Sequence, residues 1–221
     1  MNTEGIWVTG TGKVTLAPDL AYLNLGVHTQ EGTAQAARDK AAQAIDAIIA
    51  KLKSMGIAEA DLHTTYFSLQ PVYRYDQIFK EGSQYSQPVV IGYQVSNSLS
   101  VTVRDIAKVG QVIDASVAAG GDSTRVDGVS FTVDDQTSAN SKAVELATKD
   151  ALAKAQQFAA LLNISLGKPV YVTQLGGYGP VYKEVVGRTA MDAAGGASVP
   201  TAIQPGQFEV TVQVQVVFAI P

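Results

Sequence analysis

The sequence predicts an α+β fold, a two-layer α/β sandwich in which helices pack on one face of a mixed, mostly antiparallel sheet. Segments with a period of two alternate along the chain with segments of helical period. The order of strand, helix, glycine stop and strand occurs twice, which indicates a weak internal duplication. A strand, helix and parallel strand unit crosses over right-handedly, so we expect the helices to stack on one face of the sheet.

Two strands open the chain. Residues 6–14 form the first, and apolar and polar residues alternate over 21–28 in the second. The turn-forming sequence Ala17-Pro18-Asp19 separates them. These features predict an opening β-hairpin.

Three helices follow from apolar residues at helical spacing. The first is expected to begin at the N-cap Thr33 and to end at Gly56. The second is expected to be capped by Asp105 and to end at Gly120-Gly121. The third begins at Thr137 or Ser138 and ends at Asn163 in a left-handed conformation. The buried stripes of the second and third helices are predicted to be Ile106, Val109, Ile113 and Val117, and Ala143, Ala147, Ala151, Ala155, Phe158 and Leu162.

Residues 62–104 predict a long β-hairpin arm. Strands usually run about 5–6 residues, and two consecutive strands of this length suggest an arm that offers backbone to a partner. Aromatic residues concentrate there, and they are the candidate interaction residues: Tyr66, Tyr73, Tyr75, Phe79, Tyr85 and Tyr93. Aromatics are enriched in interface cores. They also form strands well and pair across hairpins, so both interpretations stay open.

The C-terminal third contains a further strand over 168–175, a Gly/Ala/Pro-rich segment and a last strand. Residues 176–206 show no sustained period and predict a long loop that is mobile unless a partner orders it. Strict alternation then places Phe208, Val210, Val212, Val214, Val216 and Phe218 on one face. A strand with so many apolar side chains should lie centrally in the sheet or pair with the arm.

Composition excludes several classes of protein. The 221 residues, of which 46% are hydrophobic, can fill the core of a single domain over 1–221. The net charge of −4 and the lack of a basic cluster argue against nucleic acid. We expect no membrane span, because no apolar run approaches about 20 residues. The first residues show neither a basic nor an apolar signal-like region, so we expect either a cytoplasmic protein or a mature form without its signal.

No motif predicts a catalytic residue, a metal or a cofactor. Gly10-Thr11-Gly12-Lys13 lacks the residues that a phosphate-binding loop needs, and we interpret it as a bulge or turn. The two histidines, His28 and His63, show no metal-binding spacing. Asp134 and Asp135, with Asp127 upstream, do not follow the order of a calcium loop. We interpret Asp134 and Asp135 as a solvated strand end that leads into the cap of the third helix.

Six segments, in this order, resemble the SIMPL domain family. They are V-T-G-x-G-x-V, A-P-D-x-A-x-L, L-x-P-x-Y, G-Y-x-V-S-N-x-L-x-V-x-V-R-D, K-D-A-L-x-K-A-x-x-x-A and V-x-V-x-V-V-F. The resemblance covers nearly the whole chain. It implies an α/β fold, export to the periplasm, homo-oligomerisation and an association with oxidative-stress defence. It implies no catalytic residue.

The hypothesis that follows is a non-enzymatic, self-assembling protein of the bacterial cell envelope, in stress defence. It would assemble through the arm, the 176–206 loop or both. The alternative is a module that binds a small molecule or a peptide in a groove lined by Tyr73, Tyr75 and Tyr93. An enzyme whose carboxylates meet only in the fold is a third hypothesis.

Overall fold

In the computed structural model, residues 5–80, 83–177, 181–183 and 201–221 are described. They form eight strands and three α-helices, besides short 3₁₀ turns. The strands are β1 (Ile6–Leu16), β2 (Leu20–Glu31), β3 (Leu62–Lys80), β4 (Ser83–Val103), β5 (Thr124–Thr132), β6 (Pro169–Gly177), β7 (Val181–Lys183) and β8 (Gln207–Phe218). The helices are α1 (Ala34–Ser54), α2 (Val109–Gly120) and α3 (Thr137–Leu162).

The described residues divide into two compact units. The first unit comprises 5–18, 132–177, 181–183 and 205–221, and the second comprises 19–80, 83–131 and 201–204. Each unit has its own sheet and hydrophobic core. The predicted α+β fold class, with helices layered on antiparallel strands, is confirmed. The strands lie in two sheets where the sequence predicted one, and the single domain over 1–221 stays a prediction.

The sheet of the first unit has the order β1-β8-β6, and β7 also pairs with β8. The predicted central position of the last strand is therefore confirmed. The apolar face of β8 is buried against α3, whose alanines at every fourth position are also buried. Side chains this small bring the helix close to β1, where an added Cβ at Gly10 or Gly12 would lie 1.9 Å from a carbonyl oxygen of α3.

The predicted opening hairpin is wrong. β1 pairs antiparallel with β8 along its whole length, from Ile6 opposite Phe218 to Leu16 opposite Phe208. β2 instead pairs with β4 in the other sheet. Alternation determines which face of a strand is buried, but it does not choose the neighbouring strand. The prediction therefore took the nearest strand in the sequence as the partner.

The sheet of the second unit has the order β3-β4-β2-β5. α1 and α2 pack against each other and contribute to the same core as β2 and β4. The two strand, helix and strand units of the predicted duplication are β2-α1-β3 and β4-α2-β5. In the sheet, β2 and β3 lie on either side of β4, and β4 and β5 lie on either side of β2, so each of these segments crosses over one strand of the other.

Most predicted helix ends agree with the structure, including the end of α2 at Gly120 and the start of α3 at Thr137. The Thr33 hydroxyl accepts the N–H of Ala36 at 3.2 Å. Asn163 ends α3 with a φ of 53°, in the left-handed region. The predicted helix cap at Asp105 is wrong. Asp105 precedes a 3₁₀ turn, and its side chain pairs with Lys108 and makes no capping hydrogen bond. The predicted buried stripes of α2 and α3 are also wrong in part, because Val117, Phe158 and Leu162 are exposed.

The predicted loop over 176–206 is only partly described. Its start belongs to β6 and to the short strand β7, which corrects the expectation that the segment has no secondary structure. Its end folds back on α2, where the Thr201 hydroxyl donates to Asp114 at 2.7 Å. Residues 184–200 lie outside the described residues, so the predicted mobility of that part stays a prediction.

Candidate interaction site on the hairpin arm

The arm is a two-stranded ribbon that extends beyond the sheet of the second unit. β2 covers β4 only from Tyr93 to Val103. β3 and β4 continue to pair from Val72 opposite Gly92 to Lys80 opposite Ser83. This part of β3 is about 30 Å long at ordinary strand rise. An isolated two-stranded ribbon is only marginally stable in water, so this part of the fold gains from additional packing.

The candidate residues differ in their surroundings. Five of them are at least about half exposed: Tyr66, Tyr73, Tyr75, Phe79 and Tyr85, with Phe79 the most exposed at 78%. Tyr93 is partly buried and packs against the core of the second unit. It therefore anchors the base of the arm, while the other five reach solvent.

Alternation along β3 places most of the exposed apolar side chains on one face of the arm. The face that packs on α1 continues outward through Phe67, Leu69, Tyr73, Tyr75 and Phe79, all exposed. We call these five residues the apolar stripe. Tyr66 and the cross-strand pair of Ile78 and Tyr85 lie on the opposite face. Phe67 and Leu69 were not among the predicted interaction residues, although their odd numbers align with Tyr73, Tyr75 and Phe79.

Among the described side chains of the arm beyond β2, Arg74 and Asp76 pair with each other away from the stripe. The Arg74 Nε donates to Asp76 Oδ1 at 2.7 Å on the face opposite the stripe. The hydrogen bond from Arg74 lowers the pKa of Asp76 from its ordinary value, and the same bond raises the pKa of Arg74. The stripe is therefore an uncharged apolar surface, of the kind found in the core of protein interfaces.

The outer strands of the two sheets differ in whether side chains cover their backbone edge. In the first unit, Asp150 Oδ2 accepts the N–H of Thr11 at 2.8 Å, and Lys154 Nζ donates to the carbonyl of Thr9 at 3.0 Å. These side chains of α3 occupy the outer edge of β1 and block strand addition there. In the second unit, β3 is a terminal strand of the described sheet.

A cavity of about 130 Å³ lies elsewhere in the second unit, and its lining includes Met55, Asp61, Arg104, Lys108 and Val112. Arg104 donates to both carboxylate oxygens of Asp61, at 3.2 and 3.0 Å. Lys108 pairs with Asp105 at 3.0 Å. The charged side chains that line the cavity are therefore already paired with each other. None of the candidate tyrosines lines this cavity.

The histidines occupy one polar face of the second sheet, opposite the helices. His28 Nδ1 lies 3.1 Å from the Ser96 hydroxyl on the adjacent strand. His63 is opposite Ser100, four residues further along β4 than Ser96, so the two histidines are not brought together. A nucleophilic triad also needs a carboxylate that orients the base, and the neighbours of His28 on its face of β2 are Gly26 and Gln30.

The remaining candidates for chemistry have structural roles. The predicted bulge or turn at Gly10 and Gly12 is wrong, because both lie in the unbroken strand β1, where they allow the close approach of α3. Asp135 Oδ1 accepts the N–H of Thr137 at 2.8 Å at the start of α3, which lowers the pKa of Asp135. Among the described residues, no group of three or more His, Asp or Glu could hold a metal ion. No helix in the described part of the chain is long and apolar enough to cross a membrane.

These features define a class of α+β protein with two antiparallel sheets and an exposed, aromatic hairpin arm. The chain belongs to the SIMPL family, described as proteins of unknown function (DUF541), whose family model matches residues 6–218.

Curated relatives are known from several bacteria. A 26 kDa periplasmic immunogenic protein of Brucella melitensis biotype 1 is 34% identical over 97% of this chain and 84% of its own length. The protein of the same name from Brucella abortus matches equally. The uncharacterized protein YggE of Escherichia coli K12 is 28% identical over 75% of this chain and 63% of its own length. The names place the Brucella relatives in the periplasm and state no biochemical activity.

Proposed function

We propose that this protein is a non-enzymatic, exported protein of the bacterial cell envelope that assembles with copies of itself through the hairpin arm. Export is supported by the periplasmic names of the Brucella relatives. The observation that carries the assembly is the apolar stripe on the arm. Five large apolar side chains lie in line on a ribbon that extends past its own sheet.

The energetics of the stripe favour a protein contact. Burying a side chain such as Phe79, now 78% exposed, would contribute roughly 1.5–3 kcal/mol. Large exposed apolar patches on soluble proteins mark interaction sites, and the exposed side chains of the stripe fit this pattern. A second copy presents the same stripe and the same terminal strand β3, so the contact could be symmetric.

A role in defence against oxidative stress is part of this proposal and rests on the family resemblance. Such a role would be indirect, because the chain has no cysteine and only three methionines as oxidisable sulfur groups. Assembly into a protective structure fits an indirect role better than scavenging does.

The test is the molar mass of the protein, measured by light scattering during size-exclusion chromatography. The first variant combines Tyr73→Ser, Tyr75→Ser and Phe79→Ser in the stripe. The matched control combines Ile78→Ser and Tyr85→Ser on the opposite face of the same ribbon. All five side chains are exposed, so both variants should keep the circular dichroism spectrum of the wild type.

We expect a defined oligomer for the wild type and the control, and a smaller species for the stripe variant. A wild-type protein that stays monomeric at high micromolar concentration would contradict assembly. A third variant replaces residues 184–200 by a Gly/Ser linker. If this variant alone loses the oligomer, the contact lies in that segment and the arm is not the assembly element.

The alternative is a module that binds a peptide or a small molecule on the arm. One observation favours it, because Tyr73 and Tyr75 share a face with Tyr93 at the base of the ribbon. An extended peptide could also add a strand to β3. A monomeric wild type whose melting temperature rises with a peptide library, but not in the stripe variant, would favour this alternative.

A further inference from the structure

The face of the first sheet opposite α3 carries an aromatic row at one end. Trp7 on β1 and Tyr171 on β6 both pair with Val217 on the central strand β8. Trp7 is 51% exposed and Tyr171 is 52% exposed, whereas Val217 between them is 2% exposed. The two exposed rings therefore flank a buried valine, and we call Trp7 and Tyr171 the aromatic platform. Two strand spacings separate their backbones by about 9.6 Å.

The next rows of the same face are polar and uncharged. Thr9, Gln215 and Thr173 lie side by side in the row adjacent to the aromatic platform. Thr11 and Gln213 follow on the two strands β1 and β8. These side chains carry hydroxyl and amide groups, which both donate and accept hydrogen bonds.

Further along this face, two described side chains of opposite charge pair with each other. Lys13 Nζ lies 3.1 Å from Glu209 Oε1, and the Thr211 hydroxyl donates to the same oxygen. Among the side chains that the structure describes, the part of the face near the aromatic rings therefore offers no uncompensated charge to attract a phosphate, an anionic lipid or nucleic acid. A ligand that matches it is neutral, flat and rich in hydroxyl groups, with an apolar side.

We propose that this face binds an uncharged, β-linked glycan chain. A pyranose ring has a flat C–H side that can stack on Trp7 or Tyr171, and its equatorial hydroxyls can hydrogen-bond to the adjacent Thr and Gln row. The spacing of about 9.6 Å between their backbones is comparable to the length of a disaccharide, so one extended chain can contact both side chains. The proposal uses the first unit alone and does not depend on assembly through the arm.

Trp7 is the one tryptophan of the chain, so its fluorescence reports directly on the platform. The full-length protein is titrated with soluble oligosaccharides of cellulose and of chitin, and retention on insoluble cellulose and chitin is measured in parallel. We expect a saturable change in Trp7 emission. Tyr171→Ala should weaken binding roughly five- to tenfold, because an aromatic stacking contact is lost.

Three further variants separate stacking from damage to the fold. Tyr171→Phe keeps the ring and should keep most of the affinity, whereas Thr173→Val removes one hydroxyl at constant shape and should weaken binding. Tyr22→Ala removes an exposed tyrosine of the second sheet and should leave binding unchanged. The stripe variant of the arm should also bind normally, even where it no longer assembles.

Two outcomes would overturn the proposal. The first is the absence of both a saturable emission change and retention on either polysaccharide. The second is a Trp7 emission that changes on dilution of the protein and does not respond to oligosaccharide. In the second case, the face is a contact between copies of the chain.

Discussion

The close packing of α3 on β1 gives the sharpest test of the first unit. We consider the substitutions Gly10→Ala and Gly12→Ala, which each add one methyl group. At Gly10 the new Cβ would lie 1.9 Å from the carbonyl oxygen of Ala147, and at Gly12 it would lie 1.9 Å from that of Ala143. Ordinary van der Waals contact begins at 3.4 Å, so each methyl group is about 1.5 Å too close.

The obstacle in both cases is helix backbone, which cannot rotate away as a side chain can. The helix must move outward, and this movement loosens the contacts of its buried alanines. Overpacking of a core typically costs about 1–3 kcal/mol and sometimes more, and we expect the upper end of this range. For a chain of this length, a loss of about 3 kcal/mol lowers the melting temperature by roughly 6–12 °C.

The assay is thermal unfolding followed by Trp7 fluorescence, since Trp7 lies on β1 and reports on the first unit. The matched control is Gly32→Ala, where an added Cβ meets no atom within 4 Å and φ is not strained. This control should change the stability by less than about 1 kcal/mol, or raise it slightly. Melting of Gly12→Ala at the temperature of the control would refute the close packing of α3 on β1.

Two other predictions concern the same unit. Val212 is 1% exposed on the central strand, so Val212→Asp should yield unfolded or aggregated protein, and a soluble variant with an unchanged melting temperature would count against the buried position. Hydrogen bonds from Lys154 and from the N–H of Thr11 lower the pKa of Asp150. The ionised carboxylate of Asp150 therefore stabilises the fold at pH values above the pKa that this carboxyl has in the unfolded chain. This stabilisation is lost as the pH falls through the lower pKa of the carboxyl in the folded protein. Asp150→Asn should melt below the wild type at neutral pH and with it in acid, and an equal difference in melting temperature at both pH values would argue against the ionised edge contact.

Sequence periodicity was most informative where a local pattern determines the structure. The cap at Thr33 and the left-handed stop at Asn163 depend on a few neighbouring residues, and both were predicted. The buried face of β8 follows from strict alternation. Each of these features is encoded within one segment, so no knowledge of distant contacts was needed.

Long-range pairing could not be predicted from such patterns. The pairing of β1 with β8 joins residues from the two ends of the chain, and the local turn at Pro18 suggested a different partner. The exposed Phe158 and Leu162 on α3 are a related case. Their helical spacing fits a buried stripe, but the alanine row alone faces the sheet because only small side chains allow the close approach of the helix.

The candidate site could be predicted only in part, because it also depends on how the strands pair. The concentration of aromatics on the arm was visible in the sequence, but the division into two faces required the register and the bulges between β3 and β4. Register also separated Tyr93, which packs on the core, from the exposed tyrosines. The aromatic row of Trp7 and Tyr171 could not be anticipated, because their strands meet only through β8.

The pairing of β1 with β8 also determines when the first unit can fold during synthesis. β1 is complete at Leu16, while its partner β8 is completed about 200 residues later, at Phe218. At a synthesis rate of about 5–20 residues per second, β1 waits on the order of 10–40 s without its neighbour. The described strands and helices of the second unit lie between these ends, so that unit can collapse first. The first sheet therefore cannot be completed until β8 has been made, which leaves a long interval in which a chaperone can engage the unpaired β1 segment.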